Sequence, residues 1–210
     1  MSVPLLPVTS DRDRELSAGR IYFDGLIPRM DGAPVPYSIA ASSLSISTEE
    51  KLPLITMDVK GLQRRNMNDV LLKKLKVRGR KIWFLTQVES VDDVLDGFNT
   101  DADSLIFPLH TVRSMSELKD MEAVSDSLIP AIFVSKGKVR NFGGEVDCIK
   151  AEEFLRGEGF YGMVLIDTDG SVTDDEWKEL SSTGVLPYSV HYSEDELMEF
   201  GFENAISHYP

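Results

Sequence analysis

The sequence predicts an α/β protein in which eight βα units close into a compact single-domain (β/α)8 barrel over residues 1–210. Three observations carry this prediction. Short, continuously apolar runs recur along the chain, as strands covered on both faces require. Segments with apolar residues three and four apart, the amphipathic helix pattern, separate them. The two halves also echo each other: "MDVKG", Met57 to Gly61, lines up with "IDTDG", Ile166 to Gly170, and about one strand later "LTQVESVDDVL" lines up with "PYSVHYSEDEL". The runner-up is an open doubly wound sheet, which follows if the weak first or last strand does not form.

Taken in order, "VPLLPV" is the first strand. The segment from Gly19 to Ser38 alternates briefly and then turns rich in proline and glycine, so it reads as an inserted hairpin and loop covering one end of the barrel. "LPLITMDV" is the second strand and "MNDVLLKKLK" the helix after it, with the basic run Lys73 to Lys81 as that helix's solvated end. The strands "KIWFLTQV", "DSLIFPLH", "IPAIFVS", "YGMVLIDT" and "GVLPYSV" follow, each with a helical segment behind it, and "NAISHYP" is a weak eighth strand. Three helices open with a serine and an acid three residues on, the capping box: Ser90 with Asp93, Ser114 with Glu117, and Ser193 with Glu196.

Composition narrows the function. Lys and Arg number 22 against 35 Asp and Glu, a net charge of -13 that argues against nucleic acid or an anionic membrane as partner. Cys148 is the single cysteine, so no internal disulfide forms and a reducing, cytoplasmic setting is expected. Neither a secretory leader nor a membrane-spanning run is expected. No cofactor is expected either, since "NFGGEV" has no P-loop or dinucleotide fingerprint around it.

The stretch from Lys81 to Met121, with "AIFVSKGKV" and "IDTDGSV", resembles the ProFAR isomerase family of histidine biosynthesis and its cyclase sister, above all the archaeal proteins related to that isomerase. The resemblance implies a TIM barrel of the ribulose-phosphate-binding type. It also implies where chemistry is missing. Pro7 stands where the family's first-strand aspartate would be and Phe133 where its fifth-strand aspartate would be, and neither can move a proton. "TQVES", "SVHYS" and "FPLHT" replace the family's glycine-rich phosphate loops. The expectation is therefore a chain without aminoaldose–aminoketose isomerase activity, acting as a ligand- or partner-binding protein or catalysing an unassigned reaction. The alternative is an active isomerase or lyase on a phosphorylated sugar or ribonucleotide.

Strand-end positions supply the candidate residues, because in such a barrel the C-terminal ends of strands face the ligand. Asp58, Asp167 and Asp169 are the catalytic candidates, although the same acids, each followed by a glycine, equally suit turn and helix caps. Lys60, Gln87, His110, Arg113, Lys136 and His191 are candidates for holding a small anionic or sugar-phosphate ligand. The three histidines, His110, His191 and His208, all fall at strand ends and are weak candidates, with Asp58, Asp167 or Asp169, for a borderline cation such as zinc, but they lack ligand spacing and no metal site is assigned to them. A homodimer is admitted as the assembly.

Overall fold

The apolar runs become strands whose alternate residues are buried on opposite faces. The computed structural model describes residues 1–10, 15–47, 52–68, 71, 80–99 and 102–207. Its first strand, β1 (Ser2–Ser10), is followed by the antiparallel pair β2 (Leu16–Asp24) and β3 (Ile27–Pro36) and by α1 (Tyr37–Ser47). Strands and helices then alternate: β4 (Leu54–Asp58), α2 (Val59–Arg64), β5 (Ile82–Leu85), α3 (Val91–Phe98), β6 (Ser104–Pro108) and α4 (Met115–Glu122). Next come β7 (Leu128–Ser135), the short antiparallel strands β8 (Lys138–Asn141) and β9 (Gly144–Val146), and α5 (Cys148–Gly157). The chain ends in β10 (Met163–Asp167), α6 (Asp174–Leu180), β11 (Val185–Ser189), α7 (Glu194–Glu199) and β12 (Ala205–Ser207).

The closed (β/α)8 barrel does not form, and the ProFAR-isomerase likeness loses the architecture it depended on. Instead there is one mixed sheet of twelve strands among the described residues, open between β11 and β12. Its parallel strands run β12-β1-β4-β5-β6-β7-β10-β11, with β2 and β3 continuing from β1 and the β8–β9 hairpin from β7. The eighth strand is the reason for the gap. Only three residues long, β12 pairs with Ser2–Pro4 of β1, and although it lies next to β11 it shares no ladder with it. The doubly wound alternative fails as well, because these strands follow chain order with no reversal. Crossovers that run in one direction put α1 and α3 to α7 on one face, whereas Val59 and Leu62 of α2 pack on the other.

Two apolar clusters result. Leu6, Leu54, Phe84, Phe107, Ile132 and Leu165 point to the helices and pack with Val94, Leu118, Leu155, Trp177 and Leu197. Their neighbours Leu5, Ile55, Leu85, Ile106, Phe133 and Ile166 form the second cluster on the opposite face. Each strand therefore needs apolar residues at both parities, which is why the runs are continuous. Over this second cluster bends the β2–β3 hairpin. It starts at Leu16, before the expected Gly19, and ends at Pro36, since Tyr37 and Ser38 already belong to α1. Its Phe23 ring meets Phe133 edge-on at 6.1 Å and Tyr188 at 6.3 Å.

Capping sets the helix starts. Ser90 with Asp93 and Ser193 with Glu196 form the expected boxes, and Thr173 with Glu176 adds one that the sequence reading passed over. Ser114 accepts from the Glu117 amide at 3.2 Å, but the Glu117 carboxylate accepts from Val91 N, tying α4 to the start of α3 instead. The expected helix Met67–Lys76 and the basic run up to Lys81 fall almost entirely outside the described residues.

Candidate functional site

Consecutive strand ends from β4 to β7 open into a cavity of about 480 Å³, roofed by the tip of the β2–β3 hairpin, Asp24 to Ile27. Arg65 enters from the end of α2, Gln87 and Glu89 from the loop after β5, and His110 and Thr111 from the 3₁₀ turn after β6. Ser135 and Lys136 close β7, Lys138 and Arg140 project from β8, and Glu145 from β9. Val139 between the last two cations is buried, so the period of the strand puts Lys138 and Arg140 on one face.

The charges of this wall are unevenly matched. Asp24 is 3.5 Å from Arg29, Glu89 is 3.1 Å from Arg113, and Glu145 is 3.7 Å from Arg140. Every acid of the cavity is thus engaged by an arginine. Arg65, Lys136 and Lys138 make no ion pair among the described residues. In a chain of net charge -13, three unmatched cations around one concavity are a local inversion of sign.

Backbone strain singles out two of them. Arg65 (φ 54°) and Lys136 (φ 56°) are the described non-glycine residues with left-handed backbones, and both line the cavity. Such a conformation disfavours side chains with a Cβ. Arg65 occupies it to end α2, its N–H donating to the Gly61 carbonyl. Lys136 occupies it in the two-residue turn between β7 and β8, where its N–H donates to Asp169 Oδ2 at 2.7 Å and that of Gly137 to Ser171 Oγ at 2.7 Å.

His110 is held with one ring nitrogen unspent. The imidazole stands edge-on to Phe133 at 5.2 Å, and its buried Nδ1 has no hydrogen-bond partner among the described residues. Burial first, then the charges of Arg140 and Arg65, pull its pKa down to about 4, so the ring is neutral near pH 7. No family model matches this chain, and no curated protein matches it. The ProFAR-isomerase resemblance rests on its quoted motifs alone.

Of the expected ligand-holding residues, the structure brings Gln87, His110 and Lys136 into the cavity. Lys60 is turned away, donating to Ser10 O at 3.0 Å and Ser10 Oγ at 3.1 Å. Arg113 is spent on Glu89 and faces a shallow groove between α3 and α4. His191 stands over Gly170 and against Tyr192, its amide donating to Ser189 Oγ. His208 lies outside the described residues, among which no group of three or more His, Cys, Asp or Glu could hold a metal ion.

The three aspartates lie outside the cavity wall, at work as caps. Asp58 is fully buried: its Oδ1 accepts from Gly61 N at 2.9 Å, and its Oδ2 from Asn68 N and Thr86 Oγ1, each at 2.9 Å. Asp167, equally buried, accepts from Ser171 N and Ser189 Oγ, each at 3.0 Å. Burial raises the pKa of both, against these hydrogen bonds. Asp169 is exposed and binds the β7–β8 turn through Lys136 N and Ser135 Oγ, and hydrogen bonds outweigh burial to lower its pKa. Sequence reasoning missed Arg65, Lys138 and Arg140. A usable signal for two of them was present, the alternation of cations at Lys136, Lys138 and Arg140 across a two-residue turn.

Proposed function

We propose that the protein binds a small organic oxyanion carrying at least two negative charges in the cavity beneath the β2–β3 hairpin, the class that includes phosphate monoesters and polycarboxylates. One observation carries the reading: the cavity's acids are all matched by arginines, while Arg65, Lys136 and Lys138 have no such match among the described residues. A single charge would leave two cations unmet. The volume of about 480 Å³ lies within the roughly 300–1,000 Å³ of small-molecule sites. Placing cations on left-handed backbone, where glycine or asparagine would be more comfortable, is the kind of strain that collects at binding sites.

Isomerisation by a pair of aspartates gains no support from the cavity. Asp58, Asp167 and Asp169 are outside it, and the carboxylates of all three are spent on loop amides and hydroxyls. Phe133, standing where the resembled family has an acid, packs between Phe23 and His110.

Thermal unfolding with sulfate, phosphate and citrate, against chloride at matched ionic strength, tests the reading. A ligand at a hundred times its dissociation constant stabilises by about 2.7 kcal/mol, or roughly 5–10 °C in a domain of this size. Lys138→Glu should abolish the shift. An equal response to chloride, or an unchanged shift in Lys138→Glu, would sink the proposal.

A further inference from the structure

Resting on that reading, we infer that His110 selects the ligand: binding draws a proton onto its imidazole, and the anion must present an oxygen to the ring. The geometry fixes the ring before any ligand arrives. The turn that carries it is held by Thr111 Oγ1, which donates to Val88 O at 2.6 Å and Pro108 O at 2.8 Å. Phe133 walls one side at 5.2 Å, and Phe23 backs Phe133 at 6.1 Å. Nδ1 is left buried, with no hydrogen-bond partner among the described residues. A buried polar atom without a partner is an unmet demand, and the half-buried ring that carries it lines the cavity where the ligand would sit.

The charges around the ring come from every element that packs toward it. Arg65 approaches from α2 and Arg140 from β8, and both act electrostatically on the imidazole. Lys136 and Lys138 stand on the hairpin after β7, while Glu89 and Glu145 are held by Arg113 and Arg140, and Asp24 on the roof by Arg29. Burial and these cations therefore disfavour imidazolium. A bound oxyanion reverses this, because it cancels the cationic field and supplies an acceptor for the ring N–H. The proton comes from solvent and stays on the ring while the anion is bound. An oxyanion can meet a cation with one oxygen and the ring with another, which chloride cannot do.

Sulfate is the probe, since its charge is constant over the range tested. Calorimetric titration from about pH 5 to pH 8, in buffers of different ionisation enthalpy, reads affinity and proton uptake together. Affinity should strengthen as pH falls, approaching tenfold per pH unit. His110→Asn should flatten that dependence. Because this variant could fold poorly, imidazole NMR of the wild type is the second readout: with three histidines in the chain, the ring titrating at about 4 should move upward on adding sulfate. Phosphate and citrate at fixed pH separate a phosphate ligand from a polycarboxylate. Sulfate binding with flat pH dependence and an unmoved ring, or chloride binding as well as sulfate, overturns the role of His110. Absence of sulfate binding at every pH, with Lys138→Glu no different, overturns the cavity reading too.

Discussion

Replacing Lys136 by asparagine should make the protein more stable and a poorer anion binder at once. Lys136 and Gly137, with φ of 56° and 67°, form a two-residue hairpin turn in the mirror-image conformation that favours Asn-Gly. A left-handed residue with a Cβ costs roughly 1–2 kcal/mol, and asparagine relieves part of this through its local hydrogen bonding. The turn's anchors, Lys136 N to Asp169 and Gly137 N to Ser171 Oγ, involve backbone donors and survive the exchange. A gain of about 0.5–1 kcal/mol follows, or roughly 1–4 °C in Tm. The side chain is exposed, so loss of its charge should weaken anion binding by about 1 kcal/mol, roughly five- to tenfold. Lys136→Gln keeps the strain and removes only the charge, so it should lose affinity without gaining stability. Calorimetric Tm and sulfate titration of the three proteins decide the matter. An asparagine variant that melts lower, or binds sulfate as the wild type does, would refute the reasoning.

Asp58→Asn should cost about 1–3 kcal/mol, because an amide cannot accept the Gly61 and Asn68 amides with both of its atoms; denaturant unfolding checks this. Asp167 has a folded pKa above its unfolded one, so its stabilising contribution is complete below about pH 4 and lost as pH rises through the folded value. The wild type should therefore gain on Asp167→Asn as the solution is acidified from neutrality, which paired melts across pH would show. Gly61→Ala would set a Cβ 2.0 Å from Asp58 Oδ2 and 3.1 Å from the Asn66 carbonyl, and should destabilise by about 1–3 kcal/mol in the same unfolding assay. Phe23→Ala removes two edge-on ring contacts from the roof of the cavity, so hydrogen exchange should quicken across the β2–β3 hairpin while β4 to β7 stay protected.

What the sequence made legible was whatever is written locally. Strands buried on both faces announce themselves as continuous apolar runs, and β4, β7 and β10 fall where those runs are. Serine with an acid three residues on marked α3 and α7. By contrast α1, "YSIAASSLSIS", has no polar face to betray it, and α2 is six residues wrapped around the Asp58 cap. Closure of the sheet is a long-range property: counting strands cannot tell whether a three-residue β12 pairs on one edge or on two. The cavity was half visible for a similar reason. Its strand-end residues Gln87, His110 and Lys136 follow from knowing where strands stop, whereas Arg65 depends on where a helix ends and on which way its left-handed backbone turns the side chain.

The half-repeat survives in chemistry, and it explains why the cavity's cations stop short of β10. At the end of β4, Asp58 receives a loop amide three residues on and the hydroxyl of Thr86 from the end of β5. At the end of β10, Asp167 receives an amide four residues on and the hydroxyl of Ser189 from the end of β11. Thr86 thus answers Ser189 and Ser90 answers Ser193, one residue away from an end-to-end alignment of the two strings. After that shared device the halves diverge. Beyond Asp58 the chain turns through Gly61 and leaves Arg65 at the cavity, whereas beyond Asp167 comes Asp169, an acid that grips the β7–β8 turn from the far side. An anion near β10 would meet two carboxylates, and one near β4 to β7 meets unmatched cations. Asp169 separates the two regions, and by holding the Lys136 amide it also fixes the backbone from which that cation enters the cavity.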